Sequence, residues 1–269
     1  MDHKPNGKNS QIVYLSHGGG PLPILGDPGH ASMVQFMQDL PKKLQRPEAV
    51  LVISAHWEED QPTLFSAADV PLFYDYYGFP AAAYDIRYCT PASPSLLQMI
   101  ATELAQHGFS PAVDSARGFD HGVYIPLKLM FPEADIPVVQ LSLLKGLDPA
   151  AHLALGVALR GLLDENLLII GSGFSFHNLN AFFASDHDAP DPANSAFQDW
   201  LIETITSEIS QEEREARLAD WESAPHARYC HPRPDHLMPL HVCVGLAGGA
   251  GEKIFDDEIM GKRGVAFRW

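Results

Sequence analysis

Three histidines follow short apolar runs at equivalent places. His17 comes after Ile12-Val13-Tyr14-Leu15-Ser16, His56 after Val50-Leu51-Val52-Ile53-Ser54-Ala55, and His177 after Leu167-Leu168-Ile169-Ile170 and the segment Gly171-Ser172-Gly173-Phe174-Ser175-Phe176. Each run reads as a buried strand, being short, continuous and bounded by turn residues. In an open α/β sheet, ligands gather outside the carboxyl ends of the strands, so imidazoles delivered there from distant positions can converge on one point. Convergent imidazoles suit a metal ion. Any one of these histidines alone is better explained by a satisfied core position; three at matching places favour a shared role. Ser16-His17-Gly18-Gly19-Gly20 also removes side chains beside the first imidazole, leaving room for close backbone approach.

The elements that must position these groups alternate between strand and helix. Met33, Phe36, Met37 and Leu40 fall at helical spacing before Pro41, and Leu96, Leu97, Ile100 and Leu104 follow Ser93-Pro94-Ser95 in a helix ending near Gly108. A strand is expected over Val138 to Leu143, then helices over Asp148 to Leu163, Ala193 to Ser207 and Gln211 to Trp221, the last two carrying an acidic solvated face. A further helix begins near His236, and Lys253 to Ile259 and Gly264 to Trp269 read as two edge strands. This order predicts a three-layer α/β/α fold with a central mixed, mostly parallel sheet and a metal site at the strand C-terminal ends. No repeat, low-complexity tract or linker divides the chain, so residues 1–269 read as a single domain with residues 1–10 as a tail. Two long irregular stretches remain: Ala67 to Ala83, with Phe73, Tyr74, Tyr76, Tyr77 and Phe79, and Ser223 to Asp235, with His226 and His231. The aromatic tract suits the wall of a pocket for a flat ring as well as it suits a plug at the sheet edge.

Composition narrows the partners. The chain of 269 residues is 46% hydrophobic with a formal charge of −16, enough for a large core and the wrong sign for nucleic acid or an anionic membrane. A small-molecule partner fits better. Three cysteines without a C-x-x-C pair argue against a disulfide framework and a thiolate zinc site. With no apolar leader and no run of about 18 apolar residues, a reduced, cytoplasmic protein is expected. No G-x-S-x-G elbow accompanies the His-Gly-Gly-Gly run, and Gly171-Ser172-Gly173 opens neither a dinucleotide nor a P-loop fingerprint. His3, His30, His107, His152 and His187 need no special role. No heptad or self-complementary patch indicates an oligomeric state.

Five motifs taken together carry a resemblance. Ser16-His17-Gly18-Gly19-Gly20-Pro21, Ile53-Ser54-Ala55-His56-Trp57, Asp120-His121-Gly122-Val123-Tyr124-Ile125-Pro126-Leu127, Gly171 to Leu179 and Asp235-His236-Leu237-Met238-Pro239-Leu240, in order between Val13 and Gly248, resemble the class III extradiol ring-cleavage dioxygenases and, within them, the 4,5-DOPA dioxygenase branch. The resemblance implies an oxidoreductase that inserts O2 into the ring of a catechol, DOPA-like substrate to give a ring-opened semialdehyde. It implies His17, His56 and His236 as metal ligands, His177 as catalytic acid/base and His121 as a second pocket histidine near the oxygen site. Tyr124 stands where tryptophan is more usual in the family. The choice of His236 over His231 or His226 rests on this match alone. Fe(II) is the metal expected for turnover, since ground-state O2 reacts slowly with a singlet catechol unless a redox-active ion with open positions holds both. Zn(II) is the other occupant to consider in the isolated protein, with His177 as a fourth ligand.

Two other readings use the same residues. A zinc hydrolase would attack with a metal-bound water, with Glu58 or Glu59 as general base, and a noncatalytic binding module would keep the cleft without the reaction. Arg87, Arg117, Lys128 and Arg228 are the cations considered for a substrate carboxylate, each equally at home on the surface.

Overall fold

The computed structural model describes residues 10–68, 71–184 and 189–269. The elements are β1 (Gln11–Ser16), α1 (Ala31–Asp39), β2 (Ala49–Glu59), β3 (Thr63–Phe65), α2 (Pro94–Gln106), β4 (Ala112–Asp114), α3 (His121–Met130), β5 (Val138–Leu144) and α4 (Pro149–Ala158). They continue with β6 (Leu167–Gly173), α5 (Leu179–Phe182), α6 (Pro192–Thr206), α7 (Gln211–Ala219), α8 (Ala227–Cys230), α9 (Met238–Ala247), β7 (Glu252–Ile259) and β8 (Lys262–Arg268). The strands form one eight-stranded sheet in the order β4-β3-β5-β2-β6-β1-β8-β7. Its centre is parallel: β2 pairs with β5 and β6, and β6 with β1. Antiparallel pairs occur where β3 meets β5 and where β8 meets β1 and β7. The expected mixed, mostly parallel α/β fold is thus present, with helices on both faces.

The two faces can be read off β6. Gly171 and Gly173 turn toward α9 and the turn before it, whereas Ser172 bonds to the Gly122 carbonyl of α3 on the opposite side. Helix α9 is buried along nearly its whole length, from Met238 to Leu246, because α4 and α7 cover the side that the sheet does not. A helix apolar all round belongs in such a place. On the other face α1 packs on α3, which lies over β2. Three helix starts are capped by side chains, Asp148, Asp191 and Ser210 accepting from the backbone N–H groups of Ala151, Asn194 and Glu213, whereas Ser93, expected to cap α2, makes no such bond.

Several expectations change in detail. The helix expected over Asp148 to Leu163 is α-helical only to Ala158 and continues as a 3-10 turn over Arg160–Asp164. Of the two C-terminal strands only β7 is an edge; β8 sits between β7 and β1, and its Val265, Ala266 and Phe267 are buried. The short strands β3 and β4, three residues each, gave no periodic signal. The α6 and α7 helices expose an acidic side, yet Phe197, Leu201, Ile205 and Leu218 are buried. Helix α9 starts two residues after His236, which lies in the preceding turn. Ser10 is tied down, its hydroxyl donating to the carbonyls of Leu162 and Glu165, while the rest of the expected tail, with His3, lies outside the described residues, as do His187 and residues 69 and 70 of the aromatic tract. Among the described residues no helix is long and apolar enough to cross a membrane, and Cys89, Cys230 and Cys243 are free.

Candidate metal centre

The register of the central strands brings the three sequence positions together. Ser16 of β1 pairs with Gly173 of β6, and Ser172 of β6 with Ser54 of β2, so β1, β6 and the stretch of β2 paired with β6 stop at one level. His17 follows directly, its N–H donating to the Gly173 carbonyl at 3.1 Å. His56 is placed by an irregularity: between Ile53 and Glu58, five steps along β2 correspond to only two along β5, from Leu141 to Leu143. The extra residues bulge out of the ladder and re-aim the imidazole, a common use of a strand irregularity beside a site. His236 arrives from the far end of the chain. Its carbonyl accepts from the Phe174 N–H at 3.1 Å and the Tyr14 hydroxyl at 3.0 Å, and a β-carbon on Gly173 would lie 2.1 Å from that oxygen. Only glycine at 173 lets the His236 turn come so close.

Ligand atoms of His17, His56 and His236 all lie within 4.8 Å of one another. The hydrogen-bond network fixes the tautomer of His17. The Ser172 hydroxyl donates to the Gly122 carbonyl at 2.5 Å, so its oxygen accepts from His17 Nδ1–H at 3.0 Å. His17 Nε2 is therefore left as a lone pair, and it lies 3.0 Å from His56 Nε2. The spacing is that of two nitrogens sharing one ion, about 3.0–3.4 Å for metal–nitrogen bonds of about 2.0–2.1 Å. His56 turns Nδ1 toward Asp75 Oδ2 at 3.5 Å. Burial, reinforced by the neighbouring imidazoles, pushes the His17, His56 and His236 pKa values well below the ordinary histidine range, which keeps them neutral. Neutral nitrogen donors with their second nitrogen turned to a serine or a carboxylate fit a divalent ion.

His121 and His177 flank this trio. His121 opens α3, donating both its backbone N–H (3.1 Å) and its Nδ1–H (2.8 Å) to Asp75 Oδ1, and its ring lies 3.9 Å from that of His56. His177 stacks on His236 with ring centroids 3.4 Å apart, and its Nδ1 is 3.8 Å from Asp235 Oδ1. It groups with Asp235 and His236, not with His17 and His56. Burial lowers its pKa as well.

Several residues that complete the centre were missed in the sequence. Asp75 joins His56 to His121; its signal was a lone carboxylate inside an aromatic tract. Burial works to raise its pKa, but the hydrogen bond and charge of His121 outweigh that and hold it below the usual range. Asp235 carries the obvious signal of adjacency to His236. Asp120, wholly buried, does not cap α3 with its side chain but accepts from Ser54 Oγ (2.7 Å), Gln140 Nε2 (2.5 Å) and Arg117 (2.9 Å). His30, set aside above, is buried with Nδ1–H on Asp27 at 2.7 Å and Nε2 accepting from the Gly19 N–H at 3.0 Å, so it pins the glycine loop.

Other candidates lie apart. His231 donates from Nε2 to the Ser175 carbonyl beside Phe197 and Trp221, and His226 is exposed. Arg117 is spent on Asp120 and the His56 carbonyl, Arg87 on the Tyr74 hydroxyl, Lys128 on the Arg87 carbonyl, and Arg228 on Glu222. Glu58 holds Arg233 and Glu59 accepts from Trp57, and neither lines the pocket that opens over the histidines. That pocket includes Tyr76, Tyr77 and Phe79, so the aromatic tract does form a wall. Behind it the buried Tyr124 hydroxyl donates to Tyr76, which donates to the Ala83 carbonyl.

An α/β sheet that gathers neutral imidazoles at its strand ends, beneath an aromatic-walled cavity, defines a protein able to hold a metal ion against a flat ligand. The chain belongs to the family described as the catalytic LigB subunit of aromatic ring-opening dioxygenase, whose model matches residues 12–268. It is 40% identical over 277 residues to dioxygenase tasH of Hapsidospora irregularis, covering 96% of this chain and 85% of that one. It is also 40% identical over 241 residues to the 4,5-DOPA dioxygenase extradiol of Beta vulgaris, covering 88% and 87%. Among solved structures, an uncharacterized protein of Escherichia coli K12 superposes with a TM-score of 0.77 at 27% identity, covering 96% of this chain and 98% of that one.

Proposed function

We propose that the protein is an extradiol dioxygenase that opens a catechol ring beside its two hydroxyls, with His17, His56 and His236 holding a non-haem metal ion. The observation that carries this reading is the convergence of His17, His56 and His236, with the Nε2 atoms of the first two 3.0 Å apart, beneath an aromatic pocket. Relatives named for 4,5-DOPA support a catechol as substrate class. Fe(II), when bound, supplies open positions and redox activity toward O2 that Zn(II) lacks.

The chain's own groups bind, orient and move protons. His177, kept neutral by burial, accepts a catechol hydroxyl proton at Nε2 while Nδ1 faces Asp235. His121 presents Nε2 to the pocket because Asp75 holds its Nδ1–H. The Tyr76 and Phe79 rings cover the planar substrate and exclude water. One ring carbon–carbon bond breaks, both atoms of O2 enter the semialdehyde product, and no outside reductant is needed. The hydrolase alternative loses its general base, since Glu58 and Glu59 lie outside the pocket.

The test is oxygen uptake by protein reconstituted anaerobically with Fe(II) and mixed with 4-methylcatechol or L-DOPA, with Zn(II)-loaded and His177→Ala proteins as controls. One O2 consumed per ring opened, with a new yellow chromophore seen only with Fe(II), supports the reading. Absence of uptake across a panel of catechols sinks it.

A further inference from the structure

We propose that the catechol taken here carries an uncharged, apolar substituent, and that the pocket disfavours a carboxylate at that position. The inference rests on the ring-cleavage reading and names the substrate class within it. The cavity encloses about 520 Å³, within the range of about 300–1,000 Å³ for small-molecule sites, and so has room for more than a bare catechol. Its depth and its mouth differ in chemistry. His121 and His236 are buried at the floor, whereas Tyr77 (93% exposed), Phe183 (75%) and Leu179 (56%) stand at the rim. A ring held with its hydroxyls toward the histidines points its substituent at that rim.

The charged side chains among the described lining residues are Asp75 and Asp235, both of them acidic. The guanidinium bonded to the lining residue Asp235, that of Arg233, spans it at 2.9 Å and Glu58 at 2.7 Å. Arg117 lies behind the site, bonded to Asp120 and stacked over Trp57 and Phe73 at 4.8 and 4.9 Å. A carboxylate drawn from water into this lining would lose hydration and meet apolar rings and two like charges, in a molecule of net charge −16. Recognition of a carboxylate ordinarily uses a fork of guanidinium or ammonium donors. An apolar substituent, in contrast, gains from covering the exposed rim, which is otherwise an unusual place for three large apolar side chains.

A matched pair of ligands isolates the charge: 3-(3,4-dihydroxyphenyl)propanoate and its methyl ester at pH 7.5. The Fe(II) enzyme is expected to show kcat/KM for ring opening at least tenfold higher for the ester, the difference residing in KM. The same pair is titrated calorimetrically into Zn(II)-loaded protein, which binds without turnover, and the same tenfold preference is expected there. Equal values, or a preference for the acid, in the binding measurement overturn the proposal. A tenfold binding preference with no catechol opened by the Fe(II) enzyme would sink the ring-cleavage reading and leave the pocket preference standing. Phe183→Arg places a cation at the rim and is expected to bring the ratio toward one. An unchanged ratio would show that the substituent does not meet this rim, and would overturn the assignment.

Discussion

At the scale of single residues, the groups that hold the imidazoles are as informative as the imidazoles themselves. Ser172 takes the Nδ1 side of His17, and Asp75 takes that of His121 and lies 3.5 Å from that of His56. Such partners are worth about 10–100-fold in metal affinity when removed. Ser172→Ala and Asp75→Asn are therefore expected to weaken binding of Zn(II) or Fe(II) by that factor, read in competition with a chromogenic chelator. His177→Ala separates the two roles considered for that residue. As an acid/base its loss lowers kcat by about 10²–10⁴-fold with metal content intact; loss of the metal in parallel would make it a ligand. Strand ends and flanking glycines marked His17, His56 and His177 in the sequence, whereas His121 and His236 were reached only through the family resemblance. Sequence reasoning passed over Asp75 and His30 because their partners are 46 and 11 residues away, and only the folded loop reveals them.

At the scale of elements, close approaches of backbone set the site. Gly173→Ala would push a methyl into the His236 carbonyl, and overpacking of this kind costs about 1–3 kcal/mol or more. The expected result is a lower urea midpoint together with weakened metal binding, since the same turn carries His236. The junction of β5 and α4 carries a pH dependence. His152 donates from Nδ1 to the Asp148 carbonyl and accepts the Leu144 N–H at Nε2, an arrangement that only the neutral ring can make. Burial lowers its pKa to about 4, and that of buried His231 to about 3. Unfolded histidines take up a proton near about 6.5. Below that pH the unfolded chain binds more protons than the folded one, so stability is present above it and falls as pH drops toward 4 and then 3. Urea midpoints of the metal-free protein at pH 7.5, 6 and 5 check this, and a midpoint constant across that range would contradict it. The alternation of strands and helices was legible in the apolar periodicity. The three-residue strands β3 and β4 were not, because they are stabilised by pairing and not by any local pattern.

At the scale of the whole molecule, the sheet order explains why the fold class could be read while the path of the C-terminus could not. An apolar run announces a strand but does not name its neighbour, and β8 turned out to be interior because β1 accepts it on the side away from β6. That same position of β1 has a consequence for synthesis. Strand β1 finds its partners only when residues 167–173 and 262–268 have followed it, so its hydrogen-bonding edges stay unpaired until then. His17 waits with it for His236. A nascent chain thus cannot assemble the three-histidine trio until residue 236 has been made, and loading of a metal there would follow that point.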